Sequence, residues 1–463
     1  MSNRSKTILF TLYAQNVYQH LFMPSGGVAD QLTANTDYRV VFLVPPGVIE
    51  DLVKKSEIAQ RKNVRIEVIQ KMPKRTLLQN AFYFFYSYLV FTSTTKLLAT
   101  FGARADAPPA GSNRHLFFIK TAIAHTFGKV PFIKKRVVPW LYQRIFRGRQ
   151  YRALFESYRP DLVFISNIAH FPDPEIATEA RRRRIRTLGM ASNWDHLNKY
   201  FIPVYADILL TQNAPMKEEA VLYHNYDENK VVVVGFPEHD AILKKKKNAL
   251  TREEFFKKIG IPAKSKLILF ISGSVYCLDE PVILKEISDW IRDGVFGPDV
   301  CLMVRPYPQR TEKEKYKELE HDPRIIFNWL SNWENPEGDL YYQNSMDYAD
   351  IAISVFSTTA IEAALRDKPV LTIGFDGNSA RPYHQSVKRF EHLSHFRHVL
   401  DTGSVPVMRS FAELQKGIQR YLEDPSLHRE ERKKLIDRMC YRVDGKSSSR
   451  VVDGMIQMLN GTT

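Results

Sequence analysis

Residues 350–375, DIAISVFSTTAIEAALRDKPVLTIGF, decide the fold. The apolar run 351–356 lacks polar alternation, the pattern of a parallel strand buried on both faces. Ser357-Thr358-Thr359 ends it, a short amphipathic helix is expected over about 360–366, and Lys368-Pro369 opens a second apolar strand. Strand, hydroxyl-rich turn, helix and strand make one βαβ unit. At such a turn the free N–H groups of a helix amino terminus and its dipole favour an anion, and small side chains let a phosphate approach. Ser357, Thr358 and Thr359 are therefore candidate phosphate contacts. Read more plainly, the same letters are an ordinary strand–helix–strand unit in which Glu362 is a solvated helix residue.

The same alternation extends in both directions. Strands are predicted at 7–14, 38–46, 64–70, 161–167, 185–192, 206–213 and 230–237, with a helical, basic and aromatic stretch over about 75–155. A second series follows at 266–274, 299–308, 324–330, 350–356 and 369–375. Between the series, 238–264 is charged and poor in strand formers, and its lysine run 244–247 reads as a solvated linker or helix face. Alternation of this kind argues for parallel sheets with helices on both faces. At 463 residues the chain fits two domains, read as 1–240 and 241–463. Helices from Ser410 onward are expected to cross back and brace the first domain.

Composition is that of a globular protein, 44% hydrophobic and 25% charged. Cys277, Cys301 and Cys440 have no metal-ligand spacing and are too few for a disulfide framework, which points to a reducing cytoplasm. The amino terminus enters a strand pattern without the apolar core of a signal peptide. The net charge of +15 is concentrated: residues 51–152 hold 20 Lys and Arg against 4 Asp and Glu. The same region carries AFYFFYSYLVFT (81–92), too short to span a bilayer, and FIKKRVVPWLYQRIFRGRQYR (132–152). Aromatics beside cations suit a segment lying at an anionic membrane surface; a buried helix beside a solvated basic face fits equally. Nucleic acid is not expected, because no recognition motif accompanies the charge. The expected location is cytoplasmic, peripheral at the inner face of the membrane.

The turn at 357–359, then Glu-Ala-Ala at 362–364 and Lys-Pro-Val at 368–370, resembles the nucleotide-binding half of GT-B-type glycosyltransferases. The resemblance implies two doubly wound, Rossmann-like α/β domains facing across a cleft. It also implies that Glu362 faces the donor ribose while Ser357, Thr358 and Thr359 hold phosphate. Two further strand ends supply candidate donor contacts: Ser272-Gly273-Ser274, a possible anion-binding turn, and Arg305 with Tyr307 in RPYP, where a guanidinium pairs with phosphate. RPYP followed by SVFSTT resembles transferases that use CDP-glycerol or cytidine-activated sugars, but Tyr307 stands where they carry histidine. Many retaining GT-B enzymes have a glutamate eight positions before the second one; here that position is Ser354, which favours inversion.

The stretch 160–240, with SNWDHLNKY at 192–200, resembles bacterial surface-polysaccharide glycosyltransferases. An inverting transfer needs a general base for the acceptor hydroxyl. By resemblance Asp195 lies in the cleft as base or acceptor ligand, although an Asp here equally caps the next helix. His20, after the first strand, resembles in position the base of several inverting GT-B enzymes, and His170 follows the 161–167 strand. RPYHQ at 381–385 is a further candidate contact. No metal-ligand spacing appears, so no cofactor is expected and the nucleotide-sugar is a substrate. The expected activity is transfer of a sugar from a nucleotide-sugar to a glycan or lipid-linked acceptor in cell-surface polysaccharide synthesis. A CDP-alditol phosphotransferase is the main alternative. A sugar-nucleotide epimerase, whose Asp-Ser-Gly-Gly turn is replaced here by Ser357-Thr358-Thr359-Ala360, and a non-catalytic sugar-nucleotide-binding protein are the others.

Overall fold

The computed structural model describes residues 5–23, 25–70, 74–102, 104–106, 116–243, 250–307, 313–329 and 336–461. The lysine run 244–247, Pro308 of RPYP and the end of the predicted 324–330 strand lie outside them. Two compact units form, one from Met1–Thr95, Leu116–Lys244 and Cys440–Thr463, the other from Lys96–His115 and Lys245–Met439. The chain therefore changes unit at four places rather than once near residue 240. Nothing in the composition marks the crossings near residues 95 and 439, because helical pattern runs through or up to each, whereas the Pro- and Gly-bearing run 107–113 precedes the one near 115.

In the first unit β1 (Lys6–Thr11), β2 (Tyr38–Val44), β3 (Val64–Val68), β4 (Leu162–Ile165), β5 (Arg186–Met190), β6 (Ile208–Thr211) and β7 (Val231–Val233) form one sheet, order β3-β2-β1-β4-β5-β6-β7. In the second, β8 (Lys266–Ile271), β9 (Val300–Arg305), β10 (Ile325–Phe327), β11 (Ile351–Ser354), β12 (Val370–Ile373) and β13 (Val407–Met408) follow the order β10-β9-β8-β11-β12-β13. Neighbouring strands are parallel throughout. Central strands are buried along their length, Ile8 to Thr11 and Leu267 to Phe270 among them, as the continuous apolar runs require. Each order reverses direction once, between β1 and β4 and between β8 and β11. In doubly wound sheets the crevice beyond the strand carboxyl ends at that reversal is where ligands bind.

The expectation for the last helices divides. Helices Phe411–Glu423 and Arg429–Met439 belong to the second unit, whereas Ser447–Asn460 belongs to the first. That last helix buries Val451, Val452, Met455, Met458 and Leu459. Its amino end is held by Asp240, whose carboxylate accepts the Ser447 and Ser448 N–H groups at 3.0 and 2.7 Å. Its carboxyl end is held by cations: Lys6 Nζ donates to the Leu459 carbonyl at 3.0 Å, and Arg186 donates to that of Met458. Both ends are thus satisfied as the helix dipole prefers.

The 81–92 stretch is largely but not wholly covered, with Tyr83 40% exposed. It forms most of helix Leu77–Ser87 and the turn after it, opened by a Thr76–Gln79 capping box, and Phe82, Tyr86, Leu89 and Val90 are buried. Stacks of Phe82 on Tyr142 and Phe146 place it against helix Val138–Ile145. Among the described residues no helix is long and apolar enough to cross a membrane.

Candidate functional site

In the second unit the β8 end departs from expectation. Ser272 and Ser274 are buried, and the turn already holds an anion: the fully buried carboxylate of Glu280. Glu280 accepts Ser272 Oγ at 2.8 Å and the Gly273 N–H at 2.5 Å, with Tyr316 Oη at 2.7 Å and Lys315 Nζ at 2.6 Å. Lys315 also donates to the Ser274 and Cys277 carbonyls, both at 2.8 Å. Ser272 and Gly273 are therefore spent on an internal carboxylate rather than open to phosphate, and the Ser274 N–H donates to Ser272 Oγ at 2.9 Å. Gly273 is required by close approach, since a Cβ there would meet Val355 Cγ2 at 2.4 Å.

The next strand ends behave differently. Arg305 closes β9 with its guanidinium 3.9 Å over the Tyr342 ring. Tyr342, on helix Pro336–Tyr348, donates its hydroxyl to Glu362 Oε2 at 3.0 Å. One buried tyrosine thus ties the β9 cation to the carboxylate after β11, and burial, with the Glu362 charge, lifts its phenol above the ordinary range. Glu362 is half-buried on helix Thr359–Ala364. Arg366 donates to the Glu362 carbonyl at 2.9 Å and pairs with Asp347 at 2.7 Å, fixing that helix. In the turn, Thr358 is exposed, Ser357 is half-buried and Thr359 is buried. Ser357 Oγ accepts the Thr359 N–H at 3.3 Å, so one first-turn amide is already satisfied by its own chain. Tyr307 is half-buried two residues beyond β9. Arg381 of RPYHQ is paired with Asp279, which also accepts Ser379 Oγ at 2.7 Å.

In the first unit the three candidate bases separate. His20 lies in the turn Tyr18–Phe22 with Nδ1 2.6 Å from Glu238 Oε2, beyond β7. Burial raises the Glu238 carboxyl, but the charge and hydrogen bond of His20, with His239, outweigh it and leave it below the ordinary carboxylate range. A carboxylate against Nδ1 fixes the ring, as the orienting partner of a histidine base does. Val17, His20, Ser192, Gln212 and Pro237 border a small cavity there.

His170 is held by Asn167 Oδ1 at 3.1 Å from Nδ1 and stacks edge-on to Tyr200 and beside His196. Burial lowers its pKa, with Asp195 opposing. The sequence reading missed His196. It is buried, its Nδ1 lies 3.2 Å from Ser192 Oγ, and burial drops its pKa to about 3. Ser192 Oγ in turn donates to Asn167 Oδ1 at 3.0 Å. Asp195 precedes helix His196–Lys199, but its side chain makes no capping bond; it pairs with Lys199 four residues on. Behind these groups Asp173 is buried, accepting Thr11 Oγ1 at 2.8 Å and the Asn167 N–H at 2.6 Å across the β1/β4 reversal. Its burial pushes the carboxyl up to about 7. Among the described residues no group of three or more His, Cys, Asp or Glu is arranged to hold a metal ion.

Comparison with known structures places the architecture. The S. aureus MnaA–UDP co-structure superposes with a TM-score of 0.58 at 12% identity, over 98% of this chain and 97% of that one. A putative UDP-N-acetylglucosamine 2-epimerase from Listeria monocytogenes gives 0.55 at 13%, over 99% and 97%. The glycotransferase of kitacinnamycin gives 0.53 at 12%, over 98% and 100%. At these identities the likeness is one of fold, the GT-B type shared by transferases and epimerases. A comparison with curated proteins returned no match. The sequence model of the family described as CDP-Glycerol:Poly(glycerophosphate) glycerophosphotransferase matches residues 199–457, more than half of the chain, taking in β6 to β13 and the turn with Glu362. The chain belongs to that family, and it is an enzyme transferring a group from a nucleotide-linked donor.

Proposed function

We propose that the chain is an inverting, metal-independent glycosyltransferase that moves a sugar from a nucleotide-sugar to a hydroxyl of a glycan or lipid-linked acceptor of a cell-surface polysaccharide. In the second unit, Glu362 accepts the ribose hydroxyls and Arg305 faces the diphosphate, with Ser357 and Thr358 beside it. In the first, His20 Nε2 takes the acceptor proton as the hydroxyl oxygen bonds to the anomeric carbon. The bond from that carbon to the diphosphate breaks, and its electron pair leaves with the nucleoside diphosphate. The His20–Glu238 pair carries this reading, because it is the candidate base whose second nitrogen is already oriented by a carboxylate. His170 is shielded, and Asp195 is neutralised by Lys199.

The family match favours a second reading, transfer of an alditol phosphate from a CDP donor. The same base would act, but the bond broken is the phosphoanhydride and the product is CMP. Tyr307, in place of the histidine of such enzymes, supports the first. The test is the nucleotide released with a panel of donors and the linkage formed. A nucleoside diphosphate and a glycosidic link support sugar transfer; CMP and a phosphodiester support the second reading. Nucleotide binding without release from any donor would contradict both readings.

A further inference from the structure

Among the described residues, nine of the eighteen exposed large apolar side chains fall between Leu77 and Trp140. That is half of them in a stretch of about one seventh of the chain, so the exposure is concentrated rather than scattered. Leu77 is 87% exposed, Phe118 83% and Phe132 66%. Ile119, Phe127 and Val130 stand out with them. Helix Phe117–His125, the turn Phe127–Lys129 and the segment Ile133–Val137 follow one another directly, so Phe118 to Phe132 form one continuous run. Phe85 packs on Phe127 with ring centroids 5.4 Å apart, joining helix Leu77–Ser87 to that run.

Single exposed apolar residues need no explanation, but a cluster of this kind marks an interaction surface. Its charge identifies the partner. From residue 71 to 152 the sequence has 15 Lys and Arg and one acidic residue, Asp106. Lys129, Lys135 and Arg136 are exposed between the apolar side chains. The cores of protein–protein interfaces are depleted in lysine. Protruding aromatics interleaved with lysine instead suit the boundary between acyl chains and anionic headgroups.

We propose that this face docks on an anionic phospholipid bilayer, with Phe118, Ile119, Phe127 and Phe132 entering the interface and Lys129, Lys135 and Arg136 pairing with lipid phosphates. Of the large apolar side chains of the 81–92 stretch only Tyr83 is exposed, so that stretch supports the face mainly from beneath. The chain would thereby work at the membrane surface without a spanning helix.

The test is flotation of the full chain with vesicles of phosphatidylcholine alone or mixed with phosphatidylglycerol, at low and high salt. The expected result is binding to the mixed vesicles that weakens with salt. Phe118→Ser with Phe132→Ser, two exposed positions, should reduce binding at least tenfold with melting temperature unchanged. Lys135→Glu with Arg136→Glu should remove the preference for phosphatidylglycerol. No binding by the unaltered chain, or binding unchanged in both variants, would overturn the proposal. So would a serine variant that changes only the oligomeric state in size exclusion, since the face would then join copies of the chain.

Discussion

The Tyr342 hydroxyl donates to Glu362 Oε2 at 3.0 Å while the Tyr342 ring carries the Arg305 guanidinium at 3.9 Å. The carboxylate is thereby anchored before any ligand arrives, and the same tyrosine carries the cation on its ring. Hydrogen bonds to charged groups contribute about 1.5–3 kcal/mol, less for a half-buried acceptor. Tyr342→Phe keeps the ring under Arg305 and frees only Glu362. Nucleotide affinity is expected to fall about threefold to tenfold, with little change in melting temperature; titration calorimetry reads the first and a thermal scan the second.

The His20–Glu238 pair makes a kinetic prediction. A positioned general base contributes about 10²–10⁴-fold, so His20→Ala should lower kcat by that range. Glu238→Gln keeps the shape and removes the charge. Protonating the imidazole then becomes less favourable, and the acid limb of the kcat profile should move to lower pH. An unmoved limb would assign the base elsewhere.

Glu280 has a structural role that stability can read. It is fully buried, pairs with Lys315, and accepts from the β8 turn. Removing one partner of a buried pair costs about 3–5 kcal/mol. Glu280→Ala should unfold at much lower denaturant, and Glu280→Ala with Lys315→Met should recover part of the loss.

Asp173 links stability to pH. Burial raises its carboxyl to about 7, against the lowering effect of Asn167 and Thr11. Between about 4, where the unfolded chain releases the proton, and about 7, the folded chain holds a proton that the unfolded one has lost. Stability therefore falls as pH rises through that window, by up to about 1.4 kcal/mol per pH unit. Buried Glu175, also raised to about 7 by burial, adds a term of the same sign. Asp173→Asn should flatten the decline in melting temperature between pH 5 and 7.5 by about half; an unchanged slope would contradict it.

The strands β8 to β12 were legible because each is an unbroken apolar run bounded by turn residues, whereas β13, two residues long, has no periodicity to read. Ser272-Gly273-Ser274 was legible as an anion-binding turn, but not that Glu280, folded back from the next helix, is the anion. Tyr342 and Glu362 stand twenty positions apart and His20 and Glu238 more than two hundred. No local pattern joins such pairs, and only the fold brings them together. The run 132–152, which opens with Phe132, was legible by its aromatics beside cations; Phe118 was not, because hydrophobicity marked 81–92 more strongly and composition does not distinguish a buried aromatic from an exposed one.

The central claim is that the β8/β11 reversal of the second unit binds the donor nucleotide through Glu362. Melting temperature measured against UDP, GDP, CDP, CMP, ADP and dTDP tests it most directly, because a ligand that binds only the folded state stabilises it by mass action. The account predicts a clear rise with one nucleotide, lost in Glu362→Ala while that variant alone melts as the unaltered chain does. A rise that survives Glu362→Ala, or no rise with any nucleotide, would contradict it.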